Sequence, residues 1–230
     1  LRNLAERYEG YGNSIRRVME AKKSMPGIIG VVADLIHVEK TYETAIETAL
    51  GASIQNVVTD SEQTAKHCIE FLKKNKFGRA TFLPLSAVKN RGEFGWKQVL
   101  KEPGVLGLAS ELVTADVEYD GLIKYLLGRI VVADTIDHAM VLARKNGYAF
   151  RIVTLEGELF NTGGSMTGGA YKNSSNLLGR KRELEELEAS MKKALAQYER
   201  MQENLKNEEH ALASARSHQE SLTGAKQEAR

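Results

Sequence analysis

The sequence predicts a mixed α/β (α+β) fold: a mixed-sheet globular part of two repeat-related subdomains, flanked by an antiparallel intramolecular coiled coil. Three observations carry this. Each end of the 230-residue chain has an apolar heptad repeat, the middle contains an internal duplication, and helical and β-branched segments alternate within each copy.

In the outgoing arm, Leu184, Met191, Tyr198, Leu205 and Leu212 fall seven apart, with Leu187, Ala194, Met201, Glu208 and Ala215 three positions further on. In the incoming arm, Leu1, Leu4, Tyr8, Tyr11, Ile15 and Val18 repeat the three-and-four spacing. Such a seam needs a partner helix, and the nearest is the other end of the chain. The expected divisions are an incoming arm over 1–24, subdomain I with a connector over 25–103, subdomain II over 104–175 and an outgoing arm over 176–230. Pro26 pushes Met25 out of the α region and ends the first arm, while Asn176 is a suitable N-cap for the second. Residues past Leu205 are expected to fray or to recruit a neighbouring copy. Because the chain opens inside a heptad and stops in an unfinished helix, it is expected to be cut from a longer polypeptide.

The duplication appears at constant offset. Gly27, Gly30, Leu35, Ile36, Tyr42, Ile46, Leu50 and Gly51 match Gly104, Gly107, Leu112, Val113, Tyr119, Ile123, Leu127 and Gly128, each 77 further on (for example 119 − 42 = 77). The register then slips: Val57 to Asp60 match Val131 to Asp134 at 74, and Arg79 matches Arg151 at 72. Each half predicts a helix ending at Gly51 or Gly128, then a strand over 54–59 or 130–133. A helix capped by Asp60 or Asp134 and a second strand over 79–83 or 150–155 complete the half. Leu155 to Phe160 predicts a hairpin turning at Glu156-Gly157. Residues 84–103 have no counterpart and form the connector.

Charged residues make up 27% of the chain and the net charge is +2, so nucleic-acid contact would need a local patch. The single cysteine, Cys68, cannot form an internal disulfide. No apolar stretch is long enough to span a membrane. No histidine pair has zinc spacing, and no nucleophile has a base in reach by sequence, so neither a cofactor nor catalysis is expected. The stretch Gly163-Gly164-Ser165-Met166-Thr167-Gly168-Gly169 lacks the Lys-Ser/Thr that ends a phosphate loop, since Ala170-Tyr171 follow. Paired glycines here suit a tight turn or a close backbone approach at a subunit contact. Basic residues Lys22 and Lys23 end the first arm, and Lys172, Arg180, Lys181 and Arg182 begin the second; antiparallel arms would bring them together at the neck.

Assembled in order, these features resemble the hinge of structural maintenance of chromosomes (SMC) proteins of bacterial type. The residues carrying the resemblance are Glu9-Gly10-Tyr11, Tyr42 to Glu47 with Ala49-Leu50-Gly51, Gly78 to Leu85, Arg151 to Gly157, the glycine cluster, and Leu177-Leu178-Gly179-Arg180. The resemblance implies a homodimerising hinge that joins two coiled-coil arms, whose ATPase heads lie far from this segment. It implies a dimer interface at Gly163, Gly164, Gly168 and Gly169 with Met166, and weak, sequence-independent DNA binding at Lys22, Lys23, Lys172, Arg180, Lys181 and Arg182. It implies a cytoplasmic, nucleoid-associated parent protein with loader or accessory partners and no membrane. A lysine run often follows the family's glycine cluster; here Lys172 stands alone, which shifts weight to the neck. The rival expectations are a DNA-binding or loader-docking module with incidental dimerisation and, more remotely, a ligand-binding domain.

Overall fold

The computed structural model describes residues 11–88, 92–170 and 176–228. It forms two units, one running to Lys181 and one from Arg182 onward. The first unit contains a mixed sheet for each half of the repeat. In the first half, β1 (Ile28–Val31) lies antiparallel to β3 (Val57–Thr59), which lies parallel to β4 (Phe82–Pro84). In the second half, β5 (Val105–Leu108), β7 (Ile130–Ala133) and β8 (Arg151–Thr154) repeat that arrangement. There β9 (Leu159–Phe160) and β10 (Met166–Thr167) extend the sheet to five strands. Both halves bulge at the same place, between Ile28 and Gly30 and between Val105 and Gly107.

A two-residue antiparallel ladder links the halves, β2 (His37–Val38) with β6 (Val113–Thr114). The strands β1 and β5 escaped the sequence reading because a glycine interrupts each, and β2 and β6 because two residues show no alternation. The helices are α1 (Asn13–Glu20), α2 (Val32–Leu35), α3 (Glu43–Leu50), α4 (Glu62–Asn75), α5 (Asp120–Leu127), α6 (Ile136–Lys145) and α7 (Leu177–Glu228).

Four expectations need correcting. Arg79 is not the counterpart of Arg151: Val57 pairs with Phe82 and Val131 with Ile152, so the offset here is 152 − 82 = 70. The drop from 74 to 70 equals the length difference between α4 and α6, 14 − 10 = 4 residues. Next, the N-caps of α4 and α6 are Ser61 and Thr135, whose hydroxyls accept from Thr64 N and His138 N. Asp60 and Asp134 instead brace these caps one residue earlier, with Asp60 accepting from the Ser61 and Thr64 hydroxyls. Gly128 ends α5 with φ −68°, so it needs no left-handed conformation, whereas Gly51 has φ +51°.

The fourth correction concerns the incoming arm. Ile15 and Val18, read as coiled-coil positions, are buried in the globular core with Cys68 and Leu72 of α4. The heptad positions Leu1, Leu4 and Tyr8 lie outside the described residues, as does any pairing they make. By itself, the second unit is helical through Glu228, past Leu205 where fraying was expected. Its seam residues Leu184, Met191, Tyr198, Leu205 and Leu212 are all exposed, as expected for a coiled-coil face without its partner. No described helix is long and apolar enough to cross a membrane.

Candidate interaction site

The glycine cluster builds the outermost hairpin of the second sheet. Met166 and Thr167 pair antiparallel with Phe160 and Leu159. Asn161 N–H donates to Ser165 O at 2.8 Å, and Gly164 N–H donates to Asn161 O at 3.1 Å, closing the turn. Gly163 and Gly164 hold φ of +85° and +95°, a region that costs side-chain-bearing residues roughly 1–2 kcal/mol. Gly163 N–H is also held by Tyr148 O at 3.3 Å. Gly168 has a different constraint, because a Cβ there would stand 3.1 Å from Glu158 Cγ. Met166 is 53% exposed on the strand that ends the sheet.

The two halves differ at the corresponding edge. In the second half, β9 covers the edge of β8, and its Phe160 is buried among Ala139, Leu142, Ala143 and Ile152. In the first half nothing covers β4 among the described residues. Beside it lies a groove of about 520 Å³ lined by Ala65, Lys66, Ile69, Phe82 and Pro84. Ala65, Ile69 and Phe82 are the counterparts of Ala139, Ala143 and Ile152, so this groove corresponds to the seat that Phe160 fills. Pro84 matches Thr154, whose N–H faces β9 and donates to Glu158 O at 3.0 Å. Lacking that donor, Pro84 limits promiscuous pairing along the open edge.

The basic residues fall into distinct settings. Lys22 donates to Ile29 O at 2.6 Å, and Lys23 is exposed in the same 3-10 turn. Lys172 lies outside the described residues. Arg180 is exposed in the first turn of α7, and Arg182 in the second unit pairs with Glu186 at 2.9 Å. Lys181 is structural: its ammonium donates to Ala33 O, Asp34 O and Ile36 O at 3.3, 2.8 and 2.9 Å, on the last turn of α2.

The root of α7 is bound elsewhere too. The Asn176 side-chain oxygen accepts from Gly179 N at 2.6 Å, as its N-cap role predicts. The buried Glu47 carboxylate accepts from Leu177 N and, at 3.3 Å, from Leu178 N. Acidic groups suit a helix N-terminus, where four N–H groups lack intrahelical partners. The sequence reading missed Glu47. Its signal was a pair of carboxylates one turn apart, Glu43 and Glu47, on a helix otherwise apolar at Ala45-Ile46 and Ala49-Leu50, with Lys124 at the position of Glu47 in the second half.

The profile of the family described as "SMC proteins Flexible Hinge Domain" matches residues 25–143. The chain is 44% identical to the chromosome partition protein Smc of Bacillus subtilis over 208 residues, 89% of this chain and 18% of that protein. It thus spans less than a fifth of that relative's length. An asymmetric dimer of the Geobacillus stearothermophilus SMC hinge domain matches with TM-score 0.76 and 40% identity, covering 92% of this chain and 87% of that one. The Pyrococcus furiosus SMC hinge domain matches with TM-score 0.58 and 37% identity, covering 72% and 84%.

Proposed function

The chain belongs to the SMC hinge family, and from that premise we propose that it is the dimerisation hinge of an SMC chromosome condensation and segregation ATPase, tethering two coiled-coil arms. The observation that carries this reading is the mismatch between the halves. The first sheet ends at β4 beside a groove whose counterpart is filled, while the second ends in an exposed hairpin strand bearing Met166. β10 of one copy adds to β4 of a second copy, and the exchange is reciprocal, so both open edges close under two-fold symmetry. Gly168 and Gly169 keep side chains off the approaching backbone. The described relative that forms a dimer supports this assignment.

Sedimentation velocity tests it. The protein should sediment as a dimer at micromolar concentration, and Met166→Asp, which places a charge in an apolar seat, should sediment as a folded monomer. A wild-type monomer under those conditions, or an intact Met166→Asp dimer, overturns the reading.

DNA contact is a second part of the proposal. Lys22, Lys23, Lys172, Arg180 and Arg182 form the phosphate-binding set, while Lys181 leaves it because its ammonium is engaged by three carbonyls. Contacts to a few phosphates give binding that is weak, sequence-independent and strongly salt-dependent. Titration of labelled DNA at low and high salt should reveal a steep loss of affinity, and a flat response would exclude phosphate contact.

A further inference from the structure

We propose that a cleft at the junction of the two halves is a docking site for a lysine side chain carried on an extended segment of a partner protein. The cleft, about 440 Å³, is lined by His37, Glu39 and Tyr42 from the first half and by Glu111, Leu112 and Thr114 from the second. His37 and Thr114 are paired across the ladder β2–β6, so the cleft lies beside the internal pseudo-two-fold axis.

The first support is a precedent within the molecule. In the first half, the carbonyls of Ala33, Asp34 and Ile36 hold the Lys181 ammonium. Adding the repeat offset of 77 gives Ser110, Glu111 and Val113 (33 + 77, 34 + 77, 36 + 77). The counterpart turn contributes Glu111 and Leu112 to the cleft. Among the described residues no lysine hydrogen-bonds to that turn, whereas its first-half counterpart holds one.

The second support is charge. Neither Glu39 nor Glu111 has an ion pair among the described residues; the Glu111 carboxylate accepts Leu108 N–H at 3.2 Å. An incoming ammonium would pair with both carboxylates, while Tyr42 and Leu112 offer apolar surface to its methylene stem. The same carboxylates repel phosphate, which separates this site from the basic neck. The third support is the ladder itself. Because β2 and β6 form a sheet of only two strands, each has an outer edge to which an extended backbone can add. This inference does not depend on dimerisation, and the oligomeric state of every sample is measured alongside so that the two readings fail separately.

The test is an amide NMR titration of the wild-type protein with the peptide acetyl-Val-Lys-Val-amide. The expected result is saturable shifts over His37 to Tyr42 and Glu111 to Thr114. Acetylating the lysine should weaken binding about fivefold or more, and Glu39→Gln and Glu111→Gln should each weaken it by about the same factor. The glutamine at 111 keeps an acceptor for Leu108 N–H, so the turn stays intact, and Glu39→Gln breaks no hydrogen bond among the described residues. Equal binding of the acetylated peptide, insensitivity to both glutamine variants, or no shift at these amides overturns the proposal. So does tighter binding of spermidine than of the peptide, which would make the cleft a site for free polyamines.

Discussion

His37 and Thr114 stand directly opposite one another in the ladder between β2 and β6, and they occupy the same position of the repeat, 77 residues apart. A residue paired with its own repeat counterpart in an antiparallel ladder places a local two-fold axis between them. The helices α3 and α5, themselves counterparts, also pack on one another. The duplication is therefore a pseudo-symmetric dimer within one chain, and its asymmetries mark where each half has taken on its own task.

One asymmetry separates two explanations of the glycine cluster. At Gly163 an alanine meets open space but carries the strain of φ +85°, so it should weaken the hairpin by roughly 1–2 kcal/mol. At Gly168 the backbone is ordinary and an added Cβ only nudges Glu158. Gly168→Ala should therefore leave hydrogen exchange at β9 unchanged while weakening self-association at least about tenfold by loss of close packing. Sedimentation equilibrium reads the second effect; an unchanged dimer constant would assign the glycines to the turn alone.

Glu47 joins α3 to the root of α7 through two N–H groups. Removing its carboxylate leaves those donors buried without a partner, a loss of about 1–3 kcal/mol. Glu47→Ala should lower the urea midpoint and speed exchange at the Leu177 and Leu178 amides. Glu47→Gln, which retains an acceptor, should recover part of the loss.

Lys181→Met keeps the stem but removes three hydrogen bonds to carbonyls. Stability should fall by about 1–3 kcal/mol, read by denaturant titration, while DNA affinity at fixed salt stays at the wild-type value. Arg180→Ala should do the opposite. Equal DNA defects in both variants would return Lys181 to the phosphate-binding set.

Acid should weaken the cap braces of α4 and α6. Hydrogen bonds from Thr64 and Ser61 hold the Asp60 carboxyl below its ordinary 3.8, and the hydrogen bond with His138 does the same for Asp134. A depressed folded pKa contributes stability above the unfolded value and loses it as pH falls through the folded one. Thermal stability of Asp60→Asn/Asp134→Asn should thus depend less on pH below 3.8 than that of the wild type.

Cys68 is fully buried, and burial pushes its thiol pKa upward. Labelling by a thiol reagent should therefore require opening of the core around α1 and α4. Its rate should rise with urea in step with unfolding, and rapid labelling of the native protein would show that α1 detaches.

Local periodicity was sufficient to read the duplication, the long helix with its Asn176 cap, the β8–β9 hairpin and the turn at the glycine cluster, because each depends on residues near in sequence. What sequence spacing could not decide was which heptad residues face a partner helix and which face the core. Ile15 and Val18 satisfy either pattern, and only the proximity of α4, some fifty residues on, buries them. The same holds for Lys181 and Glu47. A charged side chain looks solvated until the fold brings distant unpaired carbonyls or N–H groups to it, and hydrogen bonding across 130 to 148 residues leaves no trace in local spacing. The uncovered edge of β4 likewise belongs to the tertiary structure, because a strand is open or closed only by virtue of what the rest of the chain lays beside it.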